Sequence, residues 1–278
     1  MRSFMPLILL GCILWAAAAP AAETPSRDGV SIAYDVHGEG EPTLVFVHGW
    51  CCDRGYWQAQ VAEFSQTHGV VTIDLAGHGA SGTEREEWTV TAYAADVAAV
   101  VDALALEDCV LIGHSMSGSV IVEAVRLLPG RVRGLIGVDT LQDLTFAYTA
   151  EQSAGYVADM STDFPGKMDA FVRNMFPEDA DPALVDRVVA DMSAAPPGIA
   201  LATLSHYLSH DLKPALGELD VPLRCLNADL WPLNLEGNHT IYADFAVVSM
   251  EGVGHFLFQE APDAFNGKLA EILREFER

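Results

Sequence analysis

Basic residues are scarce in this sequence. The 278 residues include 15 Lys and Arg against 39 Asp and Glu, a formal net charge of −24. Such a surface repels phosphate backbones and anionic head groups, which argues against nucleic acid as a partner and disfavours strongly anionic substrates. Metal-ligand spacing is also missing. No CxxC occurs, and His206 and His210, four apart, lack the glutamate of HExxH between them. No metal and no cofactor is therefore expected. Past the N-terminus no apolar run approaches the roughly 20 residues that cross a bilayer, so no stable membrane anchor is expected. Internal repeats and low-complexity tracts are absent, and the sequence carries no signal of oligomeric state. What is abundant is apolar: half of the residues are hydrophobic, enough for a sizeable globular core.

The first residues read as a targeting segment. Arg2 supplies a minimal positive end, residues 4–17 are apolar apart from Pro6 and Gly11, and small residues fill 16–22. This pattern predicts a secretory signal over 1–22, cleaved near Ala21 or Ala22, and hence a periplasmic or secreted protein. Cys12 stands in a faintly lipoprotein-like setting, but the apolar run continues through Ile13-Leu14-Trp15. Four cysteines remain after cleavage: Cys51, Cys52, Cys109 and Cys225. The compartment permits disulfides, yet Cys109 and Cys225 sit in apolar strand-like runs and Cys51-Cys52 are neighbours, so no disulfide framework is expected.

Apolar β-branched runs predict strands over 31–36, 43–47, 69–74, 109–113, 134–139, 222–227 and 245–250. Helical periodicity separates them. Val120, Ile121, Ala124, Val125 and Leu128 share one face before Pro129-Gly130; residues 88–106 form an alanine-rich helix; Phe265, Leu269, Ile272 and Phe276 line a C-terminal helix. This alternation predicts an α/β fold, with a mostly parallel central sheet and helices on both faces. Residues 141–210 break the pattern with helical pieces punctuated by Pro165, Pro177, Pro182 and Pro196-Pro197. They predict an inserted helical lid, leaving 23–140 and 211–278 as the core domain.

Three short motifs carry chemistry. Gly113-His114-Ser115-Met116-Ser117-Gly118 joins a strand to a helix. A serine on so sharp a turn needs small neighbours and presents its hydroxyl at the sheet edge, which makes Ser115 the candidate nucleophile. His48-Gly49-Trp50 follows the 43–47 strand; the N–H groups of Trp50 and Met116 are candidate oxyanion donors, and His48 is read as a structural residue of the loop. Gly254-His255-Phe256 follows the last strand, where a glycine-flanked His255 suits a general base. Gly77, Gly79 and Gly82 match a dinucleotide fingerprint, but the charged residues 83–87 do not open a close-packed helix, so the stretch is read as a tight loop at the floor of the site.

Taken together, these motifs resemble the α/β-hydrolase superfamily over residues 29–276, as a lid-bearing, esterase-like serine hydrolase. The resemblance implies the chain order serine, acid, histidine. It implies that the acid commonly follows the strand after the lid, and there this sequence has Trp231, with Asp229 two residues early. A variation of the family places the acid after the preceding strand, where Asp139 stands; Asp139 is preferred and Asp229 is the alternative. A serine nucleophile also separates the chain from the dehalogenase and epoxide-hydrolase branches, linked by the resemblance to an aspartate. Phe146, Met175, Trp231 and Phe256 are candidate walls of an apolar pocket for a small-molecule substrate.

The expected function is hydrolysis of small, mostly apolar carboxylic esters or lactones through an acyl-enzyme. Two alternatives stay open: the same triad acting on C–C, amide or thioester bonds or as a perhydrolase, and a ligand-binding protein with a slow triad.

Overall fold

The computed structural model describes residues 21–276. The predicted signal segment falls outside the described residues except for its last two. Eight strands form one sheet: β1 (Ala22–Pro25), β2 (Ser31–His37), β3 (Thr43–Val47), β4 (Val70–Ile73), β5 (Cys109–His114), β6 (Val132–Val138), β7 (Leu223–Ala228) and β8 (Phe245–Met250). Their order across the sheet is β1-β2-β4-β3-β5-β6-β7-β8. β2 runs antiparallel to both β1 and β4, and every other pair is parallel. All residues of β3 and β5 are buried. Successive side chains of a strand point to opposite faces, so both faces of the sheet centre are covered.

Eleven α-helices surround it among the described residues: α1 (Gln58–Phe64), α2 (Val90–Ala103), α3 (Ser117–Val125), α4 (Ala150–Thr162), α5 (Phe164–Arg173), α6 (Pro182–Ser193), α7 (Pro197–Leu208), α8 (Lys213–Glu218), α9 (Leu235–Ile241), α10 (Leu257–Glu260) and α11 (Pro262–Phe276). α1 packs with α10 and α11, and α2 with α3, which also meets α8. The apolar stripe of α11 is buried from Phe265 to Phe276, and the Phe276 ring fills the space a side chain at Gly134 would need.

The seven expected strands are present with ends shifted by up to two residues. β1 is the addition. Its Ala-Glu-Thr-Pro sequence is mostly exposed and shows no apolar alternation, so it carries no signal beyond its neighbours; Pro25 is tolerated because β1 is an edge strand. Between β6 and β7 lie α4 to α8. Most of the prolines that break the helical pattern in the sequence mark helix starts: Pro165 opens α5, Pro182 opens α6 and Pro197 opens α7, while Pro177 lies in the loop between α5 and α6. In a parallel sheet the loops after β3, β5, β6, β7 and β8 leave from the same edge, which is where ligands of open α/β sheets bind.

Candidate active site

Ser115 stands immediately after β5 with φ +54°, in the left-handed region that costs a non-glycine residue about 1–3 kcal/mol. Neighbouring groups hold it there. Its N–H donates to Val138 O (2.9 Å), while its carbonyl accepts from Gly118 N (2.9 Å) and from the Thr140 hydroxyl (2.7 Å). The flanking glycines are steric requirements. A Cβ at Gly113 would lie 2.3 Å from Ser117 O, and one at Gly118 would lie 2.4 Å from the Thr140 methyl. Ser117 stands where the G-x-S-x-G strand–turn–helix pattern has its second glycine, and its buried hydroxyl donates to His48 O at 2.5 Å. The departure therefore fastens the nucleophile turn to the loop after β3.

Asp139 follows β6 and is also left-handed, φ +45°. Its N–H donates to Leu226 O (3.0 Å), and its fully buried carboxylate accepts from Ala228 N (3.0 Å) and from His255 Nδ1 (2.5 Å). With Nδ1 donating to the carboxylate, Nε2 is the nitrogen left to accept a proton. Asp229 does not reach this histidine: it is exposed, and its N–H closes onto Met250 O at 3.1 Å. Of the two candidate acids, Asp139 is the one in contact with His255.

The His255 loop is pinned from two sides. Gly254 N donates to both Glu260 carboxylate oxygens (2.9 and 3.0 Å), and His255 N donates to Met175 O at 2.8 Å. No side chain fits at Gly254, where a Cβ would lie 2.3 Å from that same carbonyl. Ser115 and His255 line one cavity. No hydrogen bond joins the Ser115 hydroxyl to the imidazole, a contact that in ligand-free active sites often forms only on binding.

Sequence reasoning missed the clamp beneath these residues. The Asn227 side chain accepts from Thr140 N (3.1 Å) and donates to Thr140 O (3.0 Å), so Thr140 ties the acid loop to the Ser115 turn. The available signal was a lone amide inside the apolar 222–227 run.

The loop after β3 presses against Ser115, since a Cβ at Gly49 would lie 3.2 Å from that of Ser115. No acceptor among the described residues takes the main-chain N–H of Trp50 or of Met116. The Trp50 indole donates to Ala200 O of α7 at 2.9 Å. His48 is buried and spends both ring nitrogens on backbone: Nδ1 donates to Gly49 O (2.7 Å) and Nε2 accepts from Leu75 N (3.0 Å). Burial lowers its pKa to about 4, and burial together with the nearby His48 lowers that of His78 to about 3. His114, packed between Trp57, His255 and Phe258, is likewise held neutral by burial. The Asp74–Gly82 loop, expected at the floor of the site, is a tight turn that contributes no residue to the lining of the cavity around Ser115. Asp74 pairs with Arg54 and accepts from Ala80 N, and its carboxylate fills the space beside Gly79.

Those histidines set an acid limit on stability. Their folded pKa values lie below the unfolded value of about 6.5. The unfolded chain therefore binds more protons below that pH, and stability present above 6.5 is lost as pH falls toward 4. Each such group contributes a slope of at most about 1.4 kcal/mol per pH unit. The unfolding midpoint should be flat between pH 7 and 8 and drop steeply from 6.5 to 4.5. A midpoint unchanged between pH 7.5 and 5 would contradict this.

The cavity holds about 310 Å³ and is mostly apolar. Met175, Trp231 and Phe256 line it as expected, with Tyr148, Tyr156, Phe171 and Tyr207 of the inserted segment added. Phe146 is a correction. It faces a neighbouring recess, 56% exposed, with its ring edge-on to Tyr148 at 4.9 Å. The turn capped by Asp143 on Thr145 swings Phe146 outward, and Tyr148 takes the wall position. His206 and His210 do not converge: His206 is exposed and His210 bonds Glu123 at 3.0 Å. The four cysteines are free and buried, and burial pushes the Cys51 and Cys52 thiols up, away from thiolate.

Known proteins resemble this chain to different extents. The 3-oxoadipate enol-lactonase 2 of Acinetobacter baylyi is 23% identical over 261 residues, covering 91% of this chain and 97% of that protein. The dihydrolipoyllysine-residue acetyltransferase component of the acetoin cleaving system of Cupriavidus necator is 32% identical over 115 residues, which span 41% of this chain but only 31% of that longer protein. Among solved structures, a thermophilic esterase from Thermogutta terrifontis superposes with a TM-score of 0.79 at 24% identity, over 94% of this chain and all of that one. Residues 44–268 match the model of the alpha/beta hydrolase family, a span that takes in Ser115, Asp139 and His255, and the chain belongs to that family.

Proposed function

We propose that this hydrolase is an exported serine esterase or lactonase acting on small, mostly apolar carboxylic esters through an acyl-enzyme. The observation that carries the reading is the pairing of His255 Nδ1 with the buried Asp139 carboxylate in the cavity that also receives the Ser115 turn. Ser115 Oγ attacks the ester carbonyl while His255 Nε2 takes the hydroxyl proton. The tetrahedral oxyanion accepts from Trp50 N and Met116 N. Collapse breaks the bond to the alcohol, which leaves with the proton from His255. Water then attacks the acyl-serine, giving its proton to the same imidazole, and the carboxylic acid departs as Ser115 regains its hydrogen. Asp139 keeps Nδ1 protonated throughout and stabilises the imidazolium. The relative named as an enol-lactonase and the solved esterase lend weight to this bond class.

Reaction with a fluorophosphonate tests the reading. One equivalent should attach, peptide mapping should place it on Ser115, and turnover of a short p-nitrophenyl ester should stop in step with labelling. Label on another residue, or ester turnover in fully labelled protein, would overturn the assignment. The same intact mass reads the mature N-terminus: export predicts a chain beginning near Ala22, and one retaining residue 1 after expression in an export-competent host would refute it.

A further inference from the structure

Large apolar side chains exposed on a soluble surface are informative when they gather in one place. Seven are exposed among the described residues, and Val36 is the one that stands apart in sequence from the site. The other six are Phe146, Tyr148, Tyr156, Trp231, Leu233 and Leu235, each between 38% and 56% exposed. Tyr148, Tyr156 and Trp231 are also walls of the catalytic cavity. The patch is thus the outward continuation of the site.

Its two loops are joined. Asn234 N donates to Gln142 O (2.9 Å), and its side chain donates to the Asp143 carboxylate (3.1 Å) and the Thr145 hydroxyl (3.3 Å). Asn238 accepts from Leu144 N (2.7 Å) and donates to Leu141 O (3.0 Å). This lattice holds residues 233–235 beside 142–145, so the exposed apolar side chains of both loops lie on adjoining stretches of surface next to the cavity walls Tyr148 and Trp231. The charge nearby is predominantly acidic: Asp143 lies within the lattice, Asp229 and Glu236 flank the loop, and the recess shared by Phe146 and Tyr148 carries Asp211 beside Lys213. Added to a net charge of −24, this disfavours an anionic occupant.

We propose that this collar, centred on Trp231, is an outer subsite for the uncharged apolar arm of an ester too long for the inner cavity. Among the small apolar esters of that reading, the preferred ones are then neutral esters whose alkyl or aryl arm is long enough to reach past the inner cavity. Trp231 stands where the resemblance places the usual acid; with Asp139 in contact with His255, that loop is released to carry an aromatic wall. The inference rests on the esterase reading above.

The experiment is a chain-length series in each arm of the ester: p-nitrophenyl acyl esters from acetate to decanoate, and alkyl acetates from methyl to octyl followed by proton release. In one series kcat/KM should climb by about two- to fourfold per methylene once the chain leaves the inner cavity, as expected for burial of apolar area. Trp231→Ala, and separately the rim double variant Leu233→Ser/Leu235→Ser, should each lower the long-to-acetate ratio by about tenfold. The rate of fluorophosphonate labelling serves as the check of fold and nucleophile in every variant. A length dependence flat in both series, or variants that lower every length alike, would overturn the subsite. Loss of labelling in the wild-type protein would instead overturn the esterase reading, so the two failures are distinguishable.

Discussion

Ser115→Ala is expected to reduce kcat on a short p-nitrophenyl ester by about 10⁵- to 10⁶-fold with little change in KM. The hydroxyl is the only group removed. The turn itself is held by main-chain bonds of residue 115 and by Thr140 Oγ1, none of which the substitution touches. The cavity walls and the two unpaired N–H donors also remain, so substrate still binds. What disappears is the covalent route, leaving the modest acceleration from binding and oxyanion stabilisation. Alanine costs little at φ +54°, where the backbone already holds a non-glycine residue. An unfolding midpoint within a few degrees of wild type would show that the loss is chemical. Retention of more than about one per cent of kcat would remove Ser115 from the mechanism.

Asp139→Asn is expected to lower kcat by about 10⁴-fold. The carboxylate accepts from Ala228 N with one oxygen and from His255 Nδ1 with the other. An amide of the same shape has one acceptor oxygen, so satisfying Ala228 turns the NH₂ toward Nδ1. That stabilises the tautomer in which Nδ1 is bare and Nε2 carries the proton, and Nε2 can then no longer accept from Ser115. The burial that makes the native pair effective leaves no water to repair the mismatch. Asp229→Asn, exposed and with no hydrogen bond to the imidazole, should stay within twofold of wild type. If Asp229→Asn were the more damaging of the two, the acid assignment would be reversed.

Much of this was legible before any coordinates. The buried strands advertise themselves because parallel strands covered on both faces must be apolar throughout. Ser115 and His255 are visible because the backbone around a strained turn demands glycine at 113, 118 and 254, and glycines leave a mark in sequence. The acid is less legible. A carboxylate at the end of a strand is chemically identical to a cap, and only the pairing of β6 with β7 brings Ala228 N to Asp139. Thr140 and Asn227 were invisible for the same reason: their contacts span 87 residues of chain. Phe146 failed because inside and outside of an irregular turn follow no period, unlike those of a helix or strand. β1 lacked an apolar face to betray it.

The hydrogen bonds from the Trp50 indole to Ala200 and from His255 N to Met175 have a mechanical consequence. The helices between β6 and β7 are stitched to the Trp50 loop on one side and to the His255 loop on the other. Swinging them away as a hinged flap would unseat both of these loops at once. Traffic of reactant and product is therefore expected to use a fixed doorway, with turnover insensitive to cross-linking the roof in place.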